Sequence, residues 1–240
     1  MIMFRISLCR LLLAAAGAAV FATPASAWHD RTHMAIVEAA GAPGLAYLAV
    51  GADMAKEKAP NEGRNHFSNN PKGTTVTARM VLEQTAFYNT GQPAGGCLYG
   101  AVVAALDSYR ERRKDSSKYA RYPLGFAMHY IGDLSMPLHN TEFDAFNKAN
   151  HSANDGVVDA DPQLVREIRS RMGNYPVRIN RDNFRESLAV EAARLATISI
   201  ARGYELEKSG RTVMDKSVAY EQLARSAALL RAVMTALDMP

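Results

Sequence analysis

Six histidines occur in the 240-residue sequence, at positions 29, 33, 66, 129, 139 and 151, and two of them begin the pattern His-x-x-x-Asp. The pairs are His129 with Asp133 and His151 with Asp155. On a helix, side chains four residues apart lie one turn apart on the same face, so one metal ion can take an imidazole and a carboxylate together. The first pair sits in Phe126-Ala-Met-His-Tyr-Ile-Gly-Asp-Leu-Ser-Met-Pro-Leu-His139, an otherwise apolar helical segment ended by Pro137. Burying both groups there requires that they be paired or ligated. A hydrogen-bonded His-Asp pair in a helical core explains one such motif as well as a metal does. A second pair, with three further histidines in polar loops or near helix starts, favours metal.

The only tryptophan, Trp28, follows a targeting signature: Arg5 and Arg10, the apolar run 11–21, and Ala-Thr-Pro-Ala-Ser-Ala ending at Ala27. The run is shorter than the roughly 20 residues of a membrane span. Residues 1–27 are therefore expected to be a cleaved secretory signal, with 28–240 exported to the periplasm or medium. Cleavage makes Trp28 the N-terminal residue. A free α-amine has a pKa of about 7.7–8.0 and can yield its proton to a metal, while the residue's own carbonyl closes a five-membered chelate. His33, five residues on, could complete that site.

Together, Trp28 with His33, Asn65-His66-Phe67, His129-x-x-x-Asp133-x-x-x-Pro137-Leu138-His139 and His151-Ser-Ala-Asn-Asp155 resemble the trinuclear zinc phosphodiesterase superfamily. That superfamily contains bacterial zinc-dependent phospholipase C and the fungal single-strand-specific nucleases of the P-one type. The resemblance implies three zinc ions. Asp53, His66, His129 and Asp133 would hold the first; Trp28 (amine and carbonyl), His33 and the bridging Asp133 the second; His139, His151 and Asp155 the third. Glu57 or Glu62 could stand in for Asp53. His29 matches nothing in the pattern and is expected at the surface or behind a ligand.

Zincs sharing a carboxylate lower the pKa of a water between them enough to supply hydroxide near neutral pH, and a third neutralises phosphate oxygens. In that chemistry Asp53 and Asp133 are catalytic through the metals and no side-chain nucleophile is needed. Cys97, in a Gly-rich turn, is read as structural. Cys9 lies within the signal, so the mature chain has no internal disulfide.

Substrate class is less sharply written. The segment 129–159, with His-Ser-x-x-Asp-x-x-Val-Asp, is more similar to the phospholipases, although that family usually has glutamate where Asp155 stands. The short step from Trp28 to His33 is more similar to the nucleases. Phe67 falls where a nuclease stacks a base, or it walls the pocket. Asn69 and Asn70 could bond a base edge or shape the turn before Pro71. The expected function is a secreted, phospholipase C-like phosphodiesterase acting on phospholipid headgroups. The alternatives are a single-strand nuclease giving 5'-nucleotides and a non-catalytic zinc-binding protein.

The elements that must position these residues are helical. Leu223, Ala227, Leu230, Met234 and Leu237 follow the spacing of one helix face. Asp161-Pro162 reads as an N-cap and first turn leading to Leu164, Ile168 and Met172. Further helical faces fall in 32–40, 45–56, 75–88, 98–113, 119–135 and 184–207, and alternating strand-like runs are nearly absent. An all-α, single multihelical domain with zinc in a cleft between helices is expected, with loops at 59–63, 70–73, 92–96 and 140–161.

The composition, 48% apolar and 22% charged, excludes disorder and repeats. Without Arg5 and Arg10 the charge balance falls from +4 to +2, so overall basicity does not argue for a polyanion partner. The run Arg110-Glu-Arg-Arg-Lys114 with Lys118 and Arg121 is the best basic patch, suited to a solvated face, to the phosphates of a nucleic acid or to an anionic membrane surface.

Overall fold

The segment carrying the first His-x-x-x-Asp pair is the helix that the rest of the fold surrounds. The computed structural model describes residues 28–115 and 117–239, so the signal segment 1–27 and Cys9 lie outside the described residues. Among the described residues there are nine α-helices and no strand. They are α1 (Asp30–Ala40), α2 (Gly51–Lys56), α3 (Ala78–Gln84), α4 (Leu98–Arg112), α5 (Tyr122–Ser135), α6 (Ala145–Asp155), α7 (Leu164–Arg171), α8 (Phe184–Lys208) and α9 (Lys216–Ala236). The protein is all-α.

α5 buries every residue from Pro123 to Ser135 except Phe126, as befits a helix apolar on all faces. It packs on α1, α2, α4, α8 and α9, and on the 3-10 helix Pro43–Val50. Two glycines, two turns apart, allow the closest approaches. A Cβ on Gly125 would stand 2.7 Å from the Leu48 carbonyl oxygen, and one on Gly132 would stand 2.5 Å from Nδ1 of His33. α5 ends where Met136 turns extended before Pro137. Carbonyls at and just beyond its last turn are taken up by polar side chains of α8, α9 and Asn140. Ser226 donates to Ile131 O (2.5 Å), Ser199 to Leu134 O (2.6 Å), Gln222 to Ser135 O (2.9 Å) and Asn140 to Met136 O (2.8 Å). The last turn of α5 is thereby fixed where Asp133 must sit.

The expected face of α9 is buried at all five positions. Several boundaries differ from the sequence expectation; 75–88, for one, is helical only from Ala78 and turns 3-10 at Thr85–Phe87. The span 45–56 is a 3-10 helix joined to the short α2, because Pro43 and Gly44 start it early and Gly51 interrupts it. α7 begins at Leu164, and the Asp161 carboxylate accepts from Gln163 N (2.8 Å) and from the Tyr220 hydroxyl, so Asp161-Pro162 forms a turn ahead of the helix. The polar stretch 140–161, expected as a loop, contains α6. Asp144 caps it by accepting from Asn147 N (2.9 Å), and its polarity reflects what its buried face contacts.

Candidate metal centre

The side chains of His33 on α1, Asp53 on α2, and His129 and Asp133 on α5 converge with those of His66, His139, His151 and Asp155. They form three groups: His33, His129 and Asp133; Asp53, His66 and His129; His139, His151 and Asp155. Within each group the candidate ligand atoms lie within 4.8 Å of one another. Asp133 joins them. Its Oδ2 is 3.2 Å from His66 Nδ1 and 3.3 Å from His129 Nε2, and its Oδ1 is 3.3 Å from His33 Nε2 and 3.9 Å from His139 Nδ1. Each carboxylate oxygen therefore faces a different group, the geometry a bridging ligand needs.

What each imidazole does with its other nitrogen fixes which one faces inward. His129 Nδ1 donates to Ala49 O (2.7 Å) and His139 Nδ1 to His66 O (2.5 Å). His151 Nδ1 donates to the side-chain oxygen of Asn147 (2.7 Å), whose amide nitrogen is already committed to Leu138 O, Thr141 and Glu142 O. These three histidines thus present Nε2 to the centre, held by carbonyl or amide oxygens behind them. Asn147 is a positioning residue that the sequence did not single out. Its only sequence signal is the four-residue step to His151.

The donor set fits metal ions. Among the described residues, ten of the twelve buried side-chain nitrogen and oxygen atoms without a hydrogen-bond partner belong to His33, Asp53, His66, Asp133, His139, His151 and Asp155. Buried polar atoms left unpaired are costly, and imidazole nitrogen with carboxylate oxygen is a donor mixture that divalent metal ions, zinc among them, take. The protonation states set what a metal would have to displace, because ligands bind it deprotonated. Burial works to lower His129, but Asp133, bonded to it one turn away, raises it to about 9. Burial works to raise Asp53, but His129, Lys56 and His66 bring it to about 2. Burial and Asp133 push Asp155 well above the carboxylate range.

Burial depresses His139 to about 4 and, with His139 beside it, His151 to about 3. Between these values and the ordinary 6.5 the unfolded chain takes up more protons than the folded one. The stability these two groups contribute is therefore complete above pH 6.5 and lost as the pH falls toward 4. Burial and His129 also lower His33, so Asp155 opposes the trend as one group against three. The metal-free protein should show a urea midpoint that declines from pH 6.5 to 4, less steeply in His151→Gln; a midpoint rising over that range would contradict these assignments.

The remaining residues separate into those at the centre and those that support it. Asp53 Oδ1 lies 3.7 Å from both His66 Nδ1 and His129 Nε2, whereas Glu57 is exposed and Glu62 lies on the far side of the His66 ring, 3.6 Å from Nε2. Trp28 is fully buried, its indole donating to Ser135 Oγ (3.3 Å), so the start of α1 is anchored to the end of α5. His29 stands over Gly156, 3.9 Å from Asp159, outside all three groups. Cys97 is buried behind His66 with its thiol pushed up to about 12 by burial and Glu62, unsuited to nucleophilic work.

The centre opens into a cleft of about 630 Å³ lined by Lys56, Arg64, Phe67, Asn69, Leu138 and Phe143 together with His66, His139 and His151. Phe67 is half-buried and Asn69 exposed at this rim, while Asn70 is buried, donating to Ser68 O (2.7 Å), Tyr99 (2.8 Å) and Asn140 O (3.0 Å) as part of the turn. The basic run lies elsewhere. Arg110, Arg113 and Lys114 border a separate cleft with Arg181 and Arg185 at the far end of α4.

No protein-family model and no curated protein matches this chain.

Proposed function

We propose that this protein is a zinc-dependent phosphoric-diester hydrolase of the phospholipase C type, exported and acting on phospholipid headgroups. The observation that carries the reading is Asp133: a fully buried carboxylate whose two oxygens face different histidine groups behind an open, cation-rimmed cleft. Asp53, His66, His129 and Asp133 would hold one ion, Trp28, His33 and Asp133 a second, and His139, His151 and Asp155 a third. Bound there, the ions supply Lewis-acid activation of water and neutralise charge on the phosphate.

The chain's own residues do the rest. Lys56, 2.7 Å from Asp53 Oδ1, and Arg64 place positive charge along the approach of a phosphodiester. Phe67, Leu138 and Phe143 give that cleft apolar walls, and Phe143 is half exposed, which suits a lipid presented at a surface; peripheral contact with a membrane is part of the proposal. Among the described residues no helix is long and apolar enough to cross a membrane. The nuclease reading retains one specific observation, that Phe67 and Asn69 stand together at the cleft rim, where a base could stack and be bonded.

A phosphorus NMR time course of zinc-loaded protein beginning at Trp28, with phosphatidylcholine micelles and single-stranded DNA, tests the assignment. A phosphorylated headgroup is expected; nucleoside monophosphates would move the protein to the nucleases, and neither product with zinc bound would favour a non-catalytic zinc protein. One extra residue before Trp28 converts its amine to an amide, and the zinc content is expected to fall by about one ion per chain by elemental analysis. Unchanged stoichiometry would remove Trp28 from the ligand set.

A further inference from the structure

Behind His66, on the side away from the cleft, lies a buried polar network that the ligand set does not use. Its only carboxylate is Glu62, on the 3-10 helix Glu62–Asn65 and 6% exposed. Glu62 Oε1 accepts from the Tyr130 hydroxyl and stands 3.6 Å from His66 Nε2, while Oε2 accepts from Asn65 Nδ2 (2.9 Å). Asn65 Nδ2 also donates to Asn89 Oδ1 (2.7 Å), and Asn65 Oδ1 accepts from Asn89 N (3.3 Å) and the Cys97 thiol (3.4 Å). The one cationic or proton-donating group of the centre that the carboxylate faces is the His66 ring.

The geometry points to Glu62 as the positioning residue of His66: its carboxylate, 3.6 Å from Nε2, favours the ring proton on that nitrogen and so turns a bare Nδ1 toward Asp53, His129 and Asp133. This inference rests on the metal reading above. His66 differs from its neighbours in both respects. His129, His139 and His151 face the centre through Nε2 and are held from behind by neutral oxygens, whereas His66 faces it through Nδ1 and is held by an anion. A carboxylate behind an imidazole locks the tautomer and makes the ring a stronger ligand. Tyr130 on α5 and Asn65 in turn lock the carboxylate, so the same helix that carries His129 and Asp133 also sets the rotation of His66.

Glu62→Gln keeps the volume and removes the charge. Chelator competition on the mature chain should show one zinc ion bound about 10- to 100-fold more weakly and the others unchanged. In the metal-free wild type, nitrogen-15 NMR should find the His66 proton on Nε2, with its resonance displaced in Glu62→Gln. Tyr130→Phe, which leaves the carboxylate in place, should weaken the same ion less. Unchanged zinc affinity in a folded Glu62→Gln, or a His66 proton on Nδ1 in the wild type, overturns the inference and leaves the metal reading standing. A wild type that binds no zinc overturns both.

Discussion

Asp133→Asn is expected to abolish turnover, by about 10³-fold or more, and to reduce the zinc content from three ions to one. The substitution conserves shape, so packing in the last turn of α5 is unaffected, but it replaces one of two acceptor oxygens with an NH2 donor. Whichever way the amide turns, that donor meets either His33 Nε2 or the facing pair His66 Nδ1 and His129 Nε2. Two groups lose an anionic ligand together, and the several kcal/mol of charge stabilisation that metal ions provide goes with them. The surroundings reinforce dependence on the charge: burial opposes ionisation of Asp133, yet His129 and His139 hold it well below the carboxylate range. His139, His151 and Asp155 do not require Asp133 and should retain their ion. Zinc analysis with a phosphodiester assay decides the matter; three ions retained with turnover within tenfold of wild type would show that Asp133 does not bridge.

Gly132→Ala is expected to damage the same centre without altering a ligand. A Cβ at this position would lie 2.5 Å from Nδ1 and 2.7 Å from Cε1 of His33, and 3.2 Å from Ile36. The ring cannot retreat, because His33 is fully buried and stacks on His129 at 3.8 Å between ring centres. Either His33 leaves the group it shares with His129 and Asp133, or α1 moves off α5 with Trp28, whose indole is bonded to Ser135. Overpacking of this kind costs about 1–3 kcal/mol. The observable result is a lower denaturation midpoint with roughly one zinc ion lost and a matching loss of activity. A variant with full zinc content and wild-type turnover would mean that His33 does not need its present position.

The helical character of the chain was legible because its apolar residues recur with helical spacing, clearest in α9, and because Pro and Gly punctuate the segments between. The His-x-x-x-Asp pairs were legible for the same reason: four residues on a helix is a fixed distance in space. α6 was harder to read, since its buried residues are Asn147, His151, Asn154 and Asp155, and a helix that buries polar groups leaves no apolar stripe. The choice among Asp53, Glu57 and Glu62 was open in the sequence because all three lie within a flexible step of His66. Only the fold places Asp53 on the ligand side of that ring, Glu62 behind it and Glu57 in solvent. Gly132 was invisible because it meets His33 only through the packing of α5 on α1, and Asn147, one turn from His151 on α6, carries a spacing signal that its residue type does not advertise.

The most direct test of the three-ion centre is the number of zinc ions carried by the mature wild-type chain, counted by native mass spectrometry after zinc loading and buffer exchange. Three side-chain groups, two of them sharing one carboxylate, together with the proposed Trp28 ligand predict three ions per chain. A chain that carries one ion or none, while folded, would contradict the account.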